Sequence, residues 1–453
     1  MKIRIVFYYV SLLTFCGLFA INNSFANPDS LLTIPHVLPK LKSSFIERAE
    51  KGEKPSGFTI RGMKGWSWTP EQYLEEIPIM SKYKMNFLMN CYLSMFSQPL
   101  MANSDVTWKN EWWLPIPESK KRAYEKIFKE CRERGINFCF ALNPQLCSPR
   151  PLDPTSSKDF EDIYQHYDWA QQNGVRWFSV SLDDVSGVKI SGEEHVQFVN
   201  KVIQRLRLKD PGAQMVFCPT FYSGNGKSSE TEITYLTSVA KDLDPSVYLF
   251  WTGAYNNQDF KLKDAKAYTA MVRHKVILWE NYPVNDGAPT LHLAPIHDRD
   301  KDLCKALDGY LVNPFFRENE INRLPLFTIA DYTYAPKDYD PSSSISQAII
   351  HQTDNKLQQK VLLQLVELYS NKVLEGGVGF NPVINRFTQI LGNSYSQHFA
   401  DEYLLYVKKV RKNLQEQFPK QYFQTKKTID KNIKTMESDY FKRYGATFNE
   451  ITF

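Results

Sequence analysis

None of the seven cysteines in this 453-residue chain forms a CxxC pair, so the spacing expected of a zinc ribbon or a thioredoxin-like redox motif is missing. No GxGxxG or phosphate-binding P-loop follows the first apolar run, which removes the usual signature of a dinucleotide- or nucleotide-binding sheet. The charge excess is small. The formal net charge is +5, and it falls by two to +3 if Lys2 and Arg4 are removed with an N-terminal leader. That is no electrostatic footprint for nucleic acid, and no nucleic-acid partner is expected. Internal repeats and low-complexity tracts are also missing, which excludes solenoid and linker-dominated architectures.

What is present begins at the N-terminus. Lys2 and Arg4 precede the apolar run Ile5 to Ile21, and Ser24 and Ala26 put small residues at the third-last and last positions of a cleavage site. This predicts a secretory signal peptide over residues 1–26 and an exported protein, periplasmic or secreted. An uncleaved anchor fits less well, because the run is shorter than the ~20 residues of a spanning helix and tapers into Asn22 and Asn23. Lipid attachment at Cys16 is disfavoured by the bulky Phe15 before it. No stable membrane insertion is expected. Of the remaining cysteines, Cys91, Cys139 and Cys218 lie in or beside short apolar runs and read as core fillers.

Residues 27–56 form a polar lead-in with Pro28, Pro35, Pro39 and Pro55. Eight β-rich runs follow: Phe58 to Arg61, Asn86 to Asn90, Asn137 to Leu142, Trp177 to Leu182, Gln214 to Cys218, Val247 to Trp251, Lys275 to Trp279 and Gly309 to Asn313. Amphipathic stretches alternate with them, for example Pro70 to Tyr83, Glu118 to Arg134 and Lys158 to Asn173. The fold class this predicts is α/β, a (β/α)8 TIM barrel over 57–342 followed by a helical C-terminal region over 343–453. An open doubly wound sheet is the alternative. The C-terminal helical patterns run from Ser343 to Leu374 and from Gln397 to Phe418, with a Lys-rich segment ending near Tyr444. They leave the oligomeric state open.

In such a barrel, chemistry sits just after the strands. The fourth run ends in Asp183 and Asp184, and two like charges so close favour a raised pKa on one of them and a general-acid role. Taken alone, the pair reads more readily as a helix cap or a turn. The seventh run ends Trp279-Glu280-Asn281 with Asp286 five residues further on, an aromatic wall with an amide and a carboxylate, as a pyranose needs for its C–H face and its hydroxyls. Tyr222 after the fifth run and Asn313 at the end of the eighth fall at the same predicted rim.

These segments resemble glycoside hydrolase family 84, the β-N-acetylglucosaminidases that include protein O-GlcNAcases and so-called bacterial hyaluronidases. The resemblance runs from Arg61 to Pro341. It rests on Arg61-Gly62-Met63-Lys64-Gly65-Trp66-Ser67-Trp68-Thr69, similar to the family's Gly-Phe-Tyr-Gly-Thr-Pro-Trp opening, and on Phe178 to Val185, Cys218 to Tyr222, Phe250 to Gly253, Trp279 to Asp286 and Gly309 to Pro314. It implies retaining hydrolysis of β-linked N-acetylglucosamine in which the substrate's own acetamide oxygen is the nucleophile. Asp183 would polarise the acetamide N–H and Asp184 would act as acid and then base. Tyr222 would bond the acetamide oxygen, Trp279 would wall its pocket, and Asp286 would hold outer hydroxyls, with Gly62, Asn281 and Asn313 adding hydrogen bonds. The resemblance implies a glycan or glycoprotein partner carrying N-acetylhexosamine, and no metal or organic cofactor.

The chain departs from the family after the second strand. The family's Ala-Pro-Lys-Asp-Asp, whose Lys contacts a sugar hydroxyl, aligns with Asn90-Cys91-Tyr92-Leu93-Ser94, so the Lys is absent unless Lys64 or Asn90 replaces it. Met63 and Lys64 stand where the family has Phe and Tyr. These departures keep open a carbohydrate-binding protein on a degenerate barrel, or a hexosaminidase of different sugar preference. A lyase on acidic polysaccharide would want a Tyr or His base and cations, which these rim segments do not display.

Overall fold

The computed structural model describes residues 43–96, 110–184, 190–254, 260–284, 291–314, 318–370, 381–392 and 397–448. The predicted signal peptide and Asp286 lie outside them. Eight parallel strands close into a barrel in chain order: β1 (Ile60–Gly65), β2 (Phe87–Asn90), β3 (Asn137–Leu142), β4 (Trp177–Ser181), β5 (Gln214–Cys218), β6 (Tyr248–Trp251), β7 (Val276–Pro283) and β8 (Gly309–Asn313). Ile60 pairs with Gly309, and Met63 with Val312, to complete the ring.

The strands read as apolar runs because both faces are covered. Phe87, Met89, Cys139, Ala141, Val216, Cys218, Phe250, Ile277 and Leu311 fill the interior. Phe138, Phe140, Phe178, Val180, Phe217 and Leu249 alternate with them and are also buried. Cys91, Cys139 and Cys218 are free thiols without exposure, as expected of core fillers.

Around the strands lie α2 (Pro70–Lys82), α3 (Glu118–Glu133), α4 (Ser157–Gln172), α5 (Gly192–Lys209), α6 (Glu230–Asp242) and α7 (Leu262–Val272). Their starts are encoded locally. Thr69 and Gln72 form a capping box before α2 with Pro70 as its first residue, and Ser156, Ser191 and Ser229 each accept an amide hydrogen bond at the heads of α4, α5 and α6. Each such cap stabilises its helix by about 1 kcal/mol. Among its described residues, the β7–β8 connection carries a 3-10 turn at Leu303–Lys305 in place of an α-helix.

Three sequence expectations are corrected. The lead-in contains a helix, α1 (Phe45–Glu50), with a Ser44/Glu47 capping box; Phe45 is buried against Phe327 and Tyr334. The first strand starts later than Phe58 and runs to Gly65, because the amides of Gly57 and Phe58 bond to Tyr334 and Thr333 instead of to a neighbouring strand. The helical pattern read as one stretch from Ser343 to Leu374 is divided between two helices, α9 (Pro341–Gln352) and α10 (Lys356–Leu368), with α8 (Asn319–Tyr334) before them; residues 371–380 lie outside the described residues. The Asn355 side chain accepts from the amides of Leu357 and Gln358 and starts a new helix there.

The chain ends in α11 (Pro382–Gly392), α12 (Gln397–Gln417) and α13 (Phe423–Tyr444). Helices α12 and α13 are clasped by Arg411 on Asp430, at 2.8 and 3.0 Å. Glu318, in the β8–α8 connection, accepts the amides of Gln424 and Thr425 at 3.0 and 3.1 Å. The head of α13 is thereby tied to the end of the barrel where the strands terminate. No helix among the described residues is long and apolar enough to cross a membrane.

Candidate active site

The inner-face periodicity of β4 places the carboxylate pair. Trp177, Ser179 and Ser181 share one parity, and Asp183 continues it, so its side chain faces in over the barrel core. Ser179 and Ser181 are small and leave room beneath it. Asp183 is 4% exposed, whereas Asp184 is exposed and turns away through a left-handed backbone at φ 54°. Asp is one of the few non-glycine residues that adopts this conformation readily, and its use here separates the environments of two adjacent carboxylates.

Asp183 is held from two other elements. The Tyr92 hydroxyl, in a 3-10 turn after β2, donates to its Oδ2 at 2.6 Å, and Asn143, directly after β3, donates from Nδ2 to its Oδ1 at 3.1 Å. Asn143 is fixed in turn, because its Oδ1 accepts the amides of Gln145 and Leu146 at 3.0 and 2.9 Å. Burial and the neighbouring Asp184 push the Asp183 carboxyl up to about 6, against the opposing pull of Lys64 and the Tyr92 hydroxyl. The raised value expected for one member of the pair falls on the buried Asp183 and not on Asp184, the member to which the resemblance gives the acid role, so the expected link between a raised value and the general acid does not hold here. On the outer side, the Tyr222 hydroxyl donates to Asp184 Oδ1 at 2.7 Å. Burial first, then the two carboxylates, push the Tyr222 hydroxyl far above its usual range, so it remains a donor at neutral pH.

Across the mouth, Trp279 packs on Phe250 with ring centroids 5.0 Å apart and donates from Nε1 to Asn313 Oδ1 at 2.8 Å. Asn313 donates onward to Asn281 Oδ1 at 2.7 Å. Trp279, Asn281 and Asn313 are thus one relay. A register shift between Glu280 and Pro283 accompanies this rim of β7. Glu280 faces the other way into a buried ion pair with Arg299, joined by the Tyr310 hydroxyl. Removing either charge would leave the other buried and unpaired, at a cost of about 3–5 kcal/mol, so this pair anchors the strand that carries Trp279.

Gly62 lies on β1 where a Cβ would come within 1.7 Å of the Phe87 carbonyl oxygen, so the position admits no side chain. Of the two replacements considered for the missing Lys, Asn90 is spent on β3: its Oδ1 accepts the Ala141 amide and its Nδ2 donates to the Ala141 carbonyl, at 2.7 and 2.9 Å. Lys64 is at the site, its Nζ over the rings of Trp66, Tyr92 and Trp279. Tyr92 and Asn143 were not anticipated as site residues. Asn143 was findable, being the first polar residue after the third apolar run. Tyr92 was hidden because it occupies the turn where the family pattern breaks. Among the described residues, no three or more His, Cys, Asp or Glu side chains converge as a metal site.

A closed (β/α)8 barrel with an adjacent carboxylate pair, donating tyrosines and an aromatic wall at its C-terminal rim has the build of the glycoside hydrolase barrels. The sequence pattern of the beta-N-acetylglucosaminidase family matches residues 58–367, and the chain belongs to that family, glycoside hydrolase family 84. Among solved structures, it is similar to a variant of the O-GlcNAc hydrolase of Thermobaculum terrenum, at 20% identity and a TM-score of 0.68, covering 85% of each chain. It is also similar to CpGH84B, at 21% identity and a TM-score of 0.63, covering 86% of this chain and 70% of that one.

Proposed function

We propose that the protein is a retaining β-N-acetylglucosaminidase that removes terminal β-linked N-acetylglucosamine from glycans or glycoproteins by substrate-assisted catalysis. The observation that carries this reading is the division of labour in the carboxylate pair, with Asp183 buried and held by two donors and Asp184 exposed beside Tyr222. Asp183 accepts from Tyr92 on Oδ2 and from Asn143 on Oδ1, and a carboxylate, with about four lone-pair sites, has capacity left for an acetamide N–H. As it accepts that N–H, the acetamide oxygen attacks the anomeric carbon, and the glycosidic C–O bond breaks as Asp184 protonates the departing oxygen. The resulting oxazoline is opened by a water that Asp184 deprotonates, restoring both carboxyl states.

Tyr222 donates to Asp184 at 2.7 Å and would exchange that acceptor for the acetamide oxygen when a sugar binds. Trp279 would line the acetamide pocket. Asn313 keeps one N–H for a sugar hydroxyl after serving Trp279 and Asn281, and Asp286 would hold the outer hydroxyls. The purified protein is expected to release the aglycone from aryl β-N-acetylglucosaminides with retention at the anomeric carbon. Tight binding of N-acetylglucosamine glycans without turnover would instead favour a carbohydrate-binding protein.

The proposal includes export, which rests on Lys2, Arg4, the run Ile5 to Ile21 and Ala26. N-terminal sequencing of the exported protein is expected to begin at Asn27; a chain that keeps Met1 would remove this part.

A further inference from the structure

Lys64 is 1% exposed, and its ammonium stands 4.4 Å from the ring centre of Trp66, 4.0 Å from that of Tyr92 and 4.2 Å from that of Trp279. These rings come from the end of β1, the turn after β2 and β7, so the cage exists only when the barrel mouth is assembled. The negative faces of the three rings attract the ammonium and offset part of the cost of burying its charge. The cage also connects to chemistry. The ring that Lys64 covers most closely belongs to Tyr92, whose hydroxyl donates to Asp183 at 2.6 Å, and Trp279 begins the relay to Asn313.

We propose that Lys64 is a positioning residue for the carboxylate pair: caged by Trp66, Tyr92 and Trp279, its ammonium holds the negative charge on Asp183 and fixes the tyrosine that donates to it. This rests on the reading of Asp183 as the acceptor of the acetamide N–H, a task only the carboxylate form performs.

The groups facing Asp183 make Lys64 the deciding one. From β1 comes Lys64 and from the turn after β2 Tyr92. The residue after β3 is the neutral Asn143. Asp184 follows Asp183 itself, and Cys218 and Tyr222 come from the β5 side. Burial and Asp184 work against ionisation of Asp183, and Lys64 is the cation that opposes them. The sign follows directly. A positive charge favours the carboxylate, so its removal raises the pH at which Asp183 loses its proton. The titration belongs to the coupled pair, and the step read is the one that the Asp183 carboxyl reports, which carries the raised value.

The test compares wild type with Lys64→Met, which keeps an unbranched chain, and Lys64→Arg, which keeps the charge. In protein labelled with carbon-13 at aspartate carboxyls, with Asp183→Asn identifying the resonance, Lys64→Met is expected to raise the Asp183 midpoint by about one pH unit and Lys64→Arg to leave it near wild type. The acid limb of kcat/KM on an aryl N-acetylglucosaminide should move by the same amount, a loss of about tenfold below the limb. Tyr92→Phe retains the cage ring and removes the hydroxyl, and is expected to raise the midpoint as well if Lys64→Met does not fold. An Asp183 midpoint unmoved in Lys64→Met, or limbs equally unshifted in Met and Arg variants that both lose activity, would overturn the role. Because the carboxyl titration needs no turnover, an inactive wild type would sink the proposed function while still deciding whether Lys64 controls Asp183.

Discussion

Asp184→Asn is expected to lower the release of a poor leaving group from β-N-acetylglucosaminides by about 10²- to 10⁴-fold, the usual contribution of a positioned general acid. The side chain is exposed, so the change leaves no buried charge behind and the fold should be intact. The hydrogen bond from Tyr222 survives, because the Asn carbonyl still accepts at the position of Oδ1. The loss should depend on the aglycone. An aryl group acidic enough to leave unprotonated needs no acid, so cleavage of that bond should be spared, and the slow step should become the opening of the oxazoline, where Asp184 is needed as base. Added azide, which attacks without a base, is then expected to restore turnover and give a β-glycosyl azide. A uniform loss across aglycones of different acidity, with no azide effect, would place the acid elsewhere.

The features behind that expected loss are unequally legible in the sequence. The barrel was legible because strands buried on both faces are written as short apolar runs, and six of the eight match their predicted bounds to within one residue, while the first and the seventh each run four residues further. The first strand was misplaced because Gly62, Lys64 and Gly65 interrupt its pattern: two lack side chains where the chain packs closely, and one is a charge turned inward. The carboxylate pair was legible as a pair, and its inequality was not. That inequality arises from strand parity and from the left-handed backbone of Asp184, and from donors at Tyr92 and Asn143 that lie 91 and 40 residues away in sequence. Lys64 illustrates the same limit. As a residue it looked like a charge in a strand; only closure of the ring brings Trp66, Tyr92 and Trp279 around it.

Asp183→Asn tests the other half of the pair and is expected to lower kcat by about 10²- to 10³-fold, the scale of losing one preorganised electrostatic partner of a developing charge. As the acetamide oxygen attacks, its nitrogen becomes positive, and the neutral Asn cannot balance that charge. The loss should be in kcat more than in KM, since the charge develops only on the way to the transition state. The substrate offers an independent measure of the same step. Replacing the N-acetyl group by N-trifluoroacetyl withdraws electrons from the attacking oxygen, so the wild type should slow markedly while the leaving group is unchanged. Equal rates for the two substrates would mean that the acetamide does not attack and that the protein supplies the nucleophile. Asp183, facing in over the barrel core with lone pairs to spare, would then be the group that takes the sugar, and a covalently labelled Asp183 trapped with a slow substrate would separate that chemistry from the one proposed.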